Sequence, residues 1–156
     1  MKARQYLLFS LIGFLGLFLS ADARADIHPG VRAGGYFDAG CAFVGGELAM
    51  PFGEDWTIVP NVEFPFVDNG TEVTFNFDFQ YNLHTHYPVD LWVGGGPAII
   101  YFDPAPENRR TDTDFGVNAF FGVGFTLHDV PFMPYIQSKV ILSDNSEFVL
   151  AFGVRF

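Results

Sequence analysis

From residue 31 onward, apolar side chains recur at every second position, the period of a β-strand and not of a helix. The clearest run is EVTFNFDFQYNL, residues 72–83. Val73, Phe75, Phe77, Phe79, Tyr81 and Leu83 fall on one face; Thr74, Asn76, Asp78, Gln80 and Asn82 fall on the other. A helix would spread both sets around its circumference. The same alternation predicts strands over 31–38, 41–50, 56–64, 114–127, 134–142 and 147–156. An eighth strand is predicted over 89–102, where Gly94-Gly95-Gly96-Pro97 blurs the two faces and marks a place for a bulge or kink.

The connections alternate as well. Segments 39–40, 65–71, 103–113 and 143–146 would lie at one end of an up-and-down array, and 51–55, 84–88 and 128–133 at the other, with both termini. The longest and most polar connection, DPAPENRRTDT, belongs to the first set.

The apolar faces of these strands carry no charged residue, whereas the polar faces carry Arg32, Lys139 and Arg155 against Glu47, Glu63 and Asp78. Buried charges require partners, and the interior of a barrel of about eight strands is just wide enough for side chains to fill it. The pattern therefore predicts an all-β, eight-stranded antiparallel up-and-down transmembrane β-barrel, apolar outside, with those six residues as a lumenal charge network. Lipid offers unpaired backbone groups no partner, which favours a closed barrel. Aromatic residues near strand ends are predicted to form interfacial girdles: Trp56, Tyr81, Trp92 and Tyr135 toward the termini, Tyr36, Phe64 and Tyr101 toward the far rim. A soluble sandwich or lipocalin-like barrel, apolar inside, is the alternative reading of the same alternation.

Composition sharpens the picture. The chain holds 20 Phe among 156 residues, more than a soluble domain of this size readily hides. At the N-terminus, Lys2 and Arg4 precede an apolar run over 6–19, followed by Ala23-Arg24-Ala25. This is the build of a cleaved secretory signal peptide, residues 1–25, and the run is too short for a membrane helix. The barrel domain is then 26–156. Losing Lys2, Arg4, Arg24 and Asp22 takes the formal charge from −10 to −12, a poor match to nucleic acid or other polyanions. Cys41 is the single cysteine, so no internal disulfide is available.

The terminal strand carries a more specific signal: Phe148, Leu150, Phe152, Val154 and Phe156 alternate up to a final aromatic. With the N-terminal segment and the eight alternating strands, it resembles the small outer-membrane β-barrel proteins of Gram-negative bacteria, the OmpA/OmpX-like group. The resemblance implies an integral outer-membrane location, with outer-membrane lipid and lipopolysaccharide as surroundings. It also implies that the terminal strand is an insertion signal read by the barrel-assembly machinery. It covers the mature chain in pattern, but only the last strand is a specific motif. The long surface loops of larger relatives are missing. A single-copy barrel is expected.

Catalytic chemistry finds little support. The mature serines are Ser138, Ser143 and Ser146, and the histidines His28, His84, His86 and His128 are all predicted at the opposite end from Ser143 and Ser146. A nucleophile needs its base within hydrogen-bond reach, so no enzyme activity, metal site or cofactor is predicted. Weaker alternatives are a metal site of His84, His86 and His128, a cation on Asp103, Glu107, Asp112 and Asp114, and phosphate contacts from Arg109 and Arg110. The functional expectation is a non-enzymatic barrel with an envelope-structural, surface-interaction or narrow-permeation role. The alternative is a carrier for a small apolar ligand, with space left by the inward glycines Gly34, Gly45, Gly94, Gly116, Gly122 and Gly124.

Overall fold

The computed structural model describes residues 27–68, 70–85, 87–104, 111–127 and 130–156. The predicted signal segment, His86, Glu107, Arg109, Arg110 and His128 lie outside these residues. Eight strands follow in chain order: β1 His28–Tyr36, β2 Cys41–Phe52, β3 Trp56–Pro65, β4 Gly70–Leu83, β5 Val89–Pro104, β6 Asp112–Phe125, β7 Met133–Leu142 and β8 Glu147–Arg155. Each is hydrogen-bonded antiparallel to its neighbours in sequence, and β1 pairs with β8, closing the barrel. Closure leaves no sheet edge.

The seam runs from Gly30↔Arg155 to Tyr36↔Val149. Two of the tight turns rest on glycine: Gly40 after β1 and Gly53 after β2 have φ of 67° and 70°, a region that a Cβ makes costly.

The strand over 89–102 contains no bulge. Its pairing with β4 holds one register on both sides of the glycines, from Asn76↔Ala98 to Phe79↔Gly95. What changes is the ladder, which lapses between those pairs, at Pro97, a residue with no N–H to donate. The β2–β3 ladder lapses in the same way between Glu47↔Asn61 and Met50↔Ile58, beside Pro60. Elsewhere the limits shift modestly: β2 runs on to Phe52, β5 to Pro104, and β6 stops at Phe125 instead of 127.

The two faces separate as the alternation predicts. Outward positions such as Val31, Phe75, Phe77, Val117, Phe121 and Phe152 are exposed. The inward positions are sealed along the middle of the strands, and the core of the molecule is the lumen itself. An apolar cluster of Tyr36, Phe43, Ala98, Ile141, Val149 and Ala151 fills the end near the β1–β2 turn. A second cluster, Trp92, Phe120 and Tyr135 with Met133 against it, fills the end near the termini.

Candidate functional site

The chemistry-bearing residues converge in the lumen. Arg32, Glu47, Glu63, Asp78, Lys139 and Arg155 are all buried. Each stands on a strand at the parity opposite the outward apolar row, so strand geometry alone aims them inward. Lys139 Nζ donates to both carboxylate oxygens of Glu63, at 2.8 and 2.9 Å. Arg32 stands between the two glutamates. Its Nη1 lies 3.2 Å from Glu47 Oε2, and its Nε lies 3.2 Å from Glu63 Oε1, an ion-pair contact without hydrogen-bond alignment. Arg155 Nε donates to Glu47 Oε1 at 2.6 Å. A continuous path of charge, Lys139–Glu63–Arg32–Glu47–Arg155, therefore crosses the barrel interior.

Asp78 belongs to a separate part of this interior. Among the described residues no Lys or Arg nitrogen is within ion-pair distance of it. It accepts instead from the carboxamides of Asn61 (2.9 Å) and Asn118 (2.8 Å). Asn76 joins them, donating to Asn61 and accepting from Asn118, each at 2.8 Å. The three buried acids balance the three buried bases, so the lumen as a whole is formally neutral.

Three of the aromatic residues assigned to the girdles lie inside the barrel. Trp92, Tyr135 and Tyr36 are only 1%, 2% and 3% exposed. Tyr36 donates its hydroxyl to Glu63, and Trp92 Nε1 donates to Gln137 Oε1 at 3.2 Å. The Arg155 guanidinium carbon lies 5.0 Å from the Trp92 ring centre and 4.9 Å from that of Tyr135. Their strand parity explains the correction: Tyr36 shares its face with Arg32, and Tyr135 with Gln137 and Lys139. Ring type suggested a rim, but position in the alternation decides the face. The remaining girdle residues do point outward. Trp56 packs on Tyr81, with ring centres 5.1 Å apart, while Phe64 and Tyr101 lie toward the far rim.

The inward glycines are seats for these rings, and the space in front of them is occupied. A Cβ on Gly122 would overlap the Trp92 indole, and one on Gly153 would overlap the Tyr135 ring. Gly94 faces Phe120, Gly34 faces Phe43 and the Leu150 carbonyl, Gly45 faces Glu63 and the Val62 carbonyl, Gly116 faces Ile141, and Gly124 faces Met133 and Trp92. Glycine permits this close approach because it carries no side chain. The expected ligand space facing the glycines is thus filled by the protein itself.

The other candidates are dispersed. His84 Nε2 lies 3.5 Å from Asp55, and His28 Nδ1 lies 3.2 Å from the Phe156 oxygen. Asp112 and Asp114 accept from the backbone N–H groups of Thr113 and Phe115. Ser143 and Ser146 donate to carbonyls within their own turn, and Ser138 points outward toward the Phe121 carbonyl. In the terminal strand, Phe148, Phe152 and Phe156 are exposed, with Leu150 and Val154 half-buried on the same outer face.

No family model matches the sequence, and no curated protein does. Solved structures do. The N-terminal β-barrel domain of Pseudomonas aeruginosa OprF aligns with a TM-score of 0.71 at 15% identity, over 83% of this chain and 95% of that one. Neisserial surface protein A gives 0.55 at 12% identity, again over 83% and 95%. Ail, the attachment invasion locus protein of Yersinia pestis, gives 0.51 at 14% identity with the same coverage. The closed antiparallel eight-stranded barrel described above is therefore the fold of the small outer-membrane β-barrels, the OmpA/OmpX-like architecture.

Proposed function

We propose that the chain is an integral, non-enzymatic outer-membrane barrel that serves the envelope as a structural or surface-contact protein and does not conduct through its lumen. The observation that carries this reading is the inverted polarity of the molecule. A charge path from Lys139 to Arg155 is sealed inside, while the outer wall exposes Phe75, Phe77, Phe121 and Phe152 around its circumference. A soluble protein buries apolar side chains and rarely exposes a contiguous apolar patch of this kind. A bilayer is the solvent in which such a wall is stable, and strands of about 9–11 residues, tilted, span it.

Non-conduction follows from the filling of the lumen. Two clusters of packed side chains and the ion-pair path occupy the axis, as the width of an eight-stranded barrel allows. Export through a cleaved signal over 1–25, folding by the barrel-assembly machinery and a single-copy state complete the proposal. Outer-membrane lipid and lipopolysaccharide are the proposed surroundings.

Cell fractionation with a heat-modifiability gel tests the location. The protein is expected in the outer-membrane fraction with a mobility that shifts on boiling; recovery from the soluble periplasm would overturn the reading. In planar bilayers, little or no current is expected, and stable nanosiemens-scale openings would overturn the filled-lumen part alone.

A further inference from the structure

The lumen is not filled along its whole length. At the end that holds the termini, a vestibule of ≈ 490 Å³ opens between β3, β4, β5 and the residues Thr126, Leu127 and Val130 to Phe132, within the range of small-molecule sites, about 300–1,000 Å³. Trp92 and Arg155 form its floor. Leu127, Val130, Phe132 and Met133 are among the apolar residues of its wall.

Most of the polar side chains here are tied to one another. Gln80 Nε2 donates to Asn82 Oδ1, Asn82 Nδ2 donates to Thr57 Oγ1, and Thr126 Oγ1 donates to Asp90 Oδ2. Arg155 is 6% exposed. Its Nε donates to Glu47 and its Nη2 donates to Gln80 Oε1 at 3.2 Å. Trp92 and Tyr135, packed edge-to-face with ring centres 5.7 Å apart, lie together on one side of its guanidinium. Nη1 has no hydrogen-bond partner among the described residues, and it is not among the sealed, unpaired atoms of the interior. Arg155 lines the vestibule, and Nη1 is the nitrogen it has left to offer there. A guanidinium held by hydrogen bonds at two nitrogens and by ring contacts on one side loses little freedom when it binds an oxyanion with the third.

We propose that this vestibule binds a small amphipathic anion, its oxyanion head on Arg155 Nη1 and its apolar body along Leu127, Phe132 and Met133. The charges that line the vestibule are Arg155 and Asp90, and Arg155 is itself paired with Glu47. At long range the chain's formal net charge of −10 opposes an incoming anion. Recognition rests on the free donor and the apolar wall acting together. The inference extends the proposed function, because a barrel closed to conduction can still present a pocket at one mouth.

The test uses the full mature chain in lipid nanodiscs. Trp56→Phe leaves Trp92 as the sole indole, since the sequence has two tryptophans. The ¹⁵N–¹H signal of Trp92 Nε1, which donates to Gln137 beside the vestibule, is followed during titration with octanoate, octyl phosphate, octanol and octyltrimethylammonium. Octanoate or octyl phosphate is expected to give a saturable shift, and the tighter of the two identifies the head as carboxylate or phosphate. Octanol and the ammonium compound are expected to bind at least tenfold more weakly. Arg155→Gln removes the donor but risks the fold. Leu127→Glu, at an exposed position beyond the end of β6, is therefore the companion variant and should weaken anion binding at least tenfold. Three results would each overturn the proposal: no saturable shift with either anion, octanol or the ammonium compound binding as tightly as the anions, or unchanged anion binding in Leu127→Glu.

Discussion

Glu63 is the residue on which the lumenal network depends most. It is fully buried, accepts two hydrogen bonds from Lys139 and one from Tyr36, and lies 3.2 Å from Arg32 Nε. Glu63→Gln keeps the volume and one acceptor oxygen but removes the charge that two buried cations share. Breaking a buried pair by removing one partner costs about 3–5 kcal/mol, because the remaining charge is left uncompensated. Lys139→Met should cost less. Glu63 then still faces Arg32 and Tyr36, and Arg32 is still paired with Glu47, so no charge in the lumen is left alone.

Reversible urea unfolding from lipid vesicles, followed by fluorescence and gel mobility, measures both variants and their combination. Glu63→Gln is expected to lower the unfolding free energy by about 3–5 kcal/mol. Adding Lys139→Met to it should recover part of that loss, with a coupling of about 0.5–3 kcal/mol. The reasoning fails if Glu63→Gln stays within about 0.5 kcal/mol of wild type, the scale of an ordinary surface substitution. It also fails if the two substitutions are simply additive.

Other predictions test separate parts of the reading. Asp78→Asn should cost less than Glu63→Gln, about 1–3 kcal/mol in the same unfolding assay, since it leaves a donor facing the Asn61 or Asn118 carboxamide without stranding a cation. Phe77→Arg places a charge on the outer face midway along β4 and should cost about 2–4 kcal/mol in vesicles, the value for a lipid-facing midplane site; a cost near zero would contradict membrane insertion. Gly122→Val drives a side chain into the Trp92 indole and should destabilise by about 1–3 kcal/mol, with the mobility shift occurring at lower temperature; Trp92→Leu in the same chain should relieve part of it. Phe156→Asp should slow assembly into vesicles containing the assembly machinery several-fold, read as the half-time of the mobility shift, while the unfolding free energy of folded protein changes little.

Much of this fold was legible because the β-strand period is two and one face of every strand is apolar. A slip of one residue would exchange the faces, so Phe75, Phe77 and Phe79 leave Asn76, Asp78 and Gln80 only one direction to point. The same rule, applied strictly, would have placed Tyr36, Trp92 and Tyr135 in the lumen. Their chemical type argued for a rim, and the glycines around Trp92 hid its parity. The glycines themselves carry complementary information, since Gly122 and Gly153 record in sequence the rings that lie against them.

What parity cannot supply is the partner of each inward charge. Lys139 and Glu63 are 76 residues apart, and Arg155 and Glu47 are 108 apart. Alternation shows that all four face inward, but which acid meets which base depends on how strand stagger and tilt accumulate around the closed barrel. Asp78 illustrates the consequence. By charge it is an equal member of the six-residue set, yet register places it beside Asn61 and Asn118, with Lys139 committed to Glu63. Two asparagines, silent in a reading based on formal charge and joined to each other through Asn76, take the role of its counter-ion. The division of the lumen into an ion-pair path and a carboxamide-held acid is a property of closure, which is why substitutions at Glu63 and Asp78 should differ although their sequence patterns are alike.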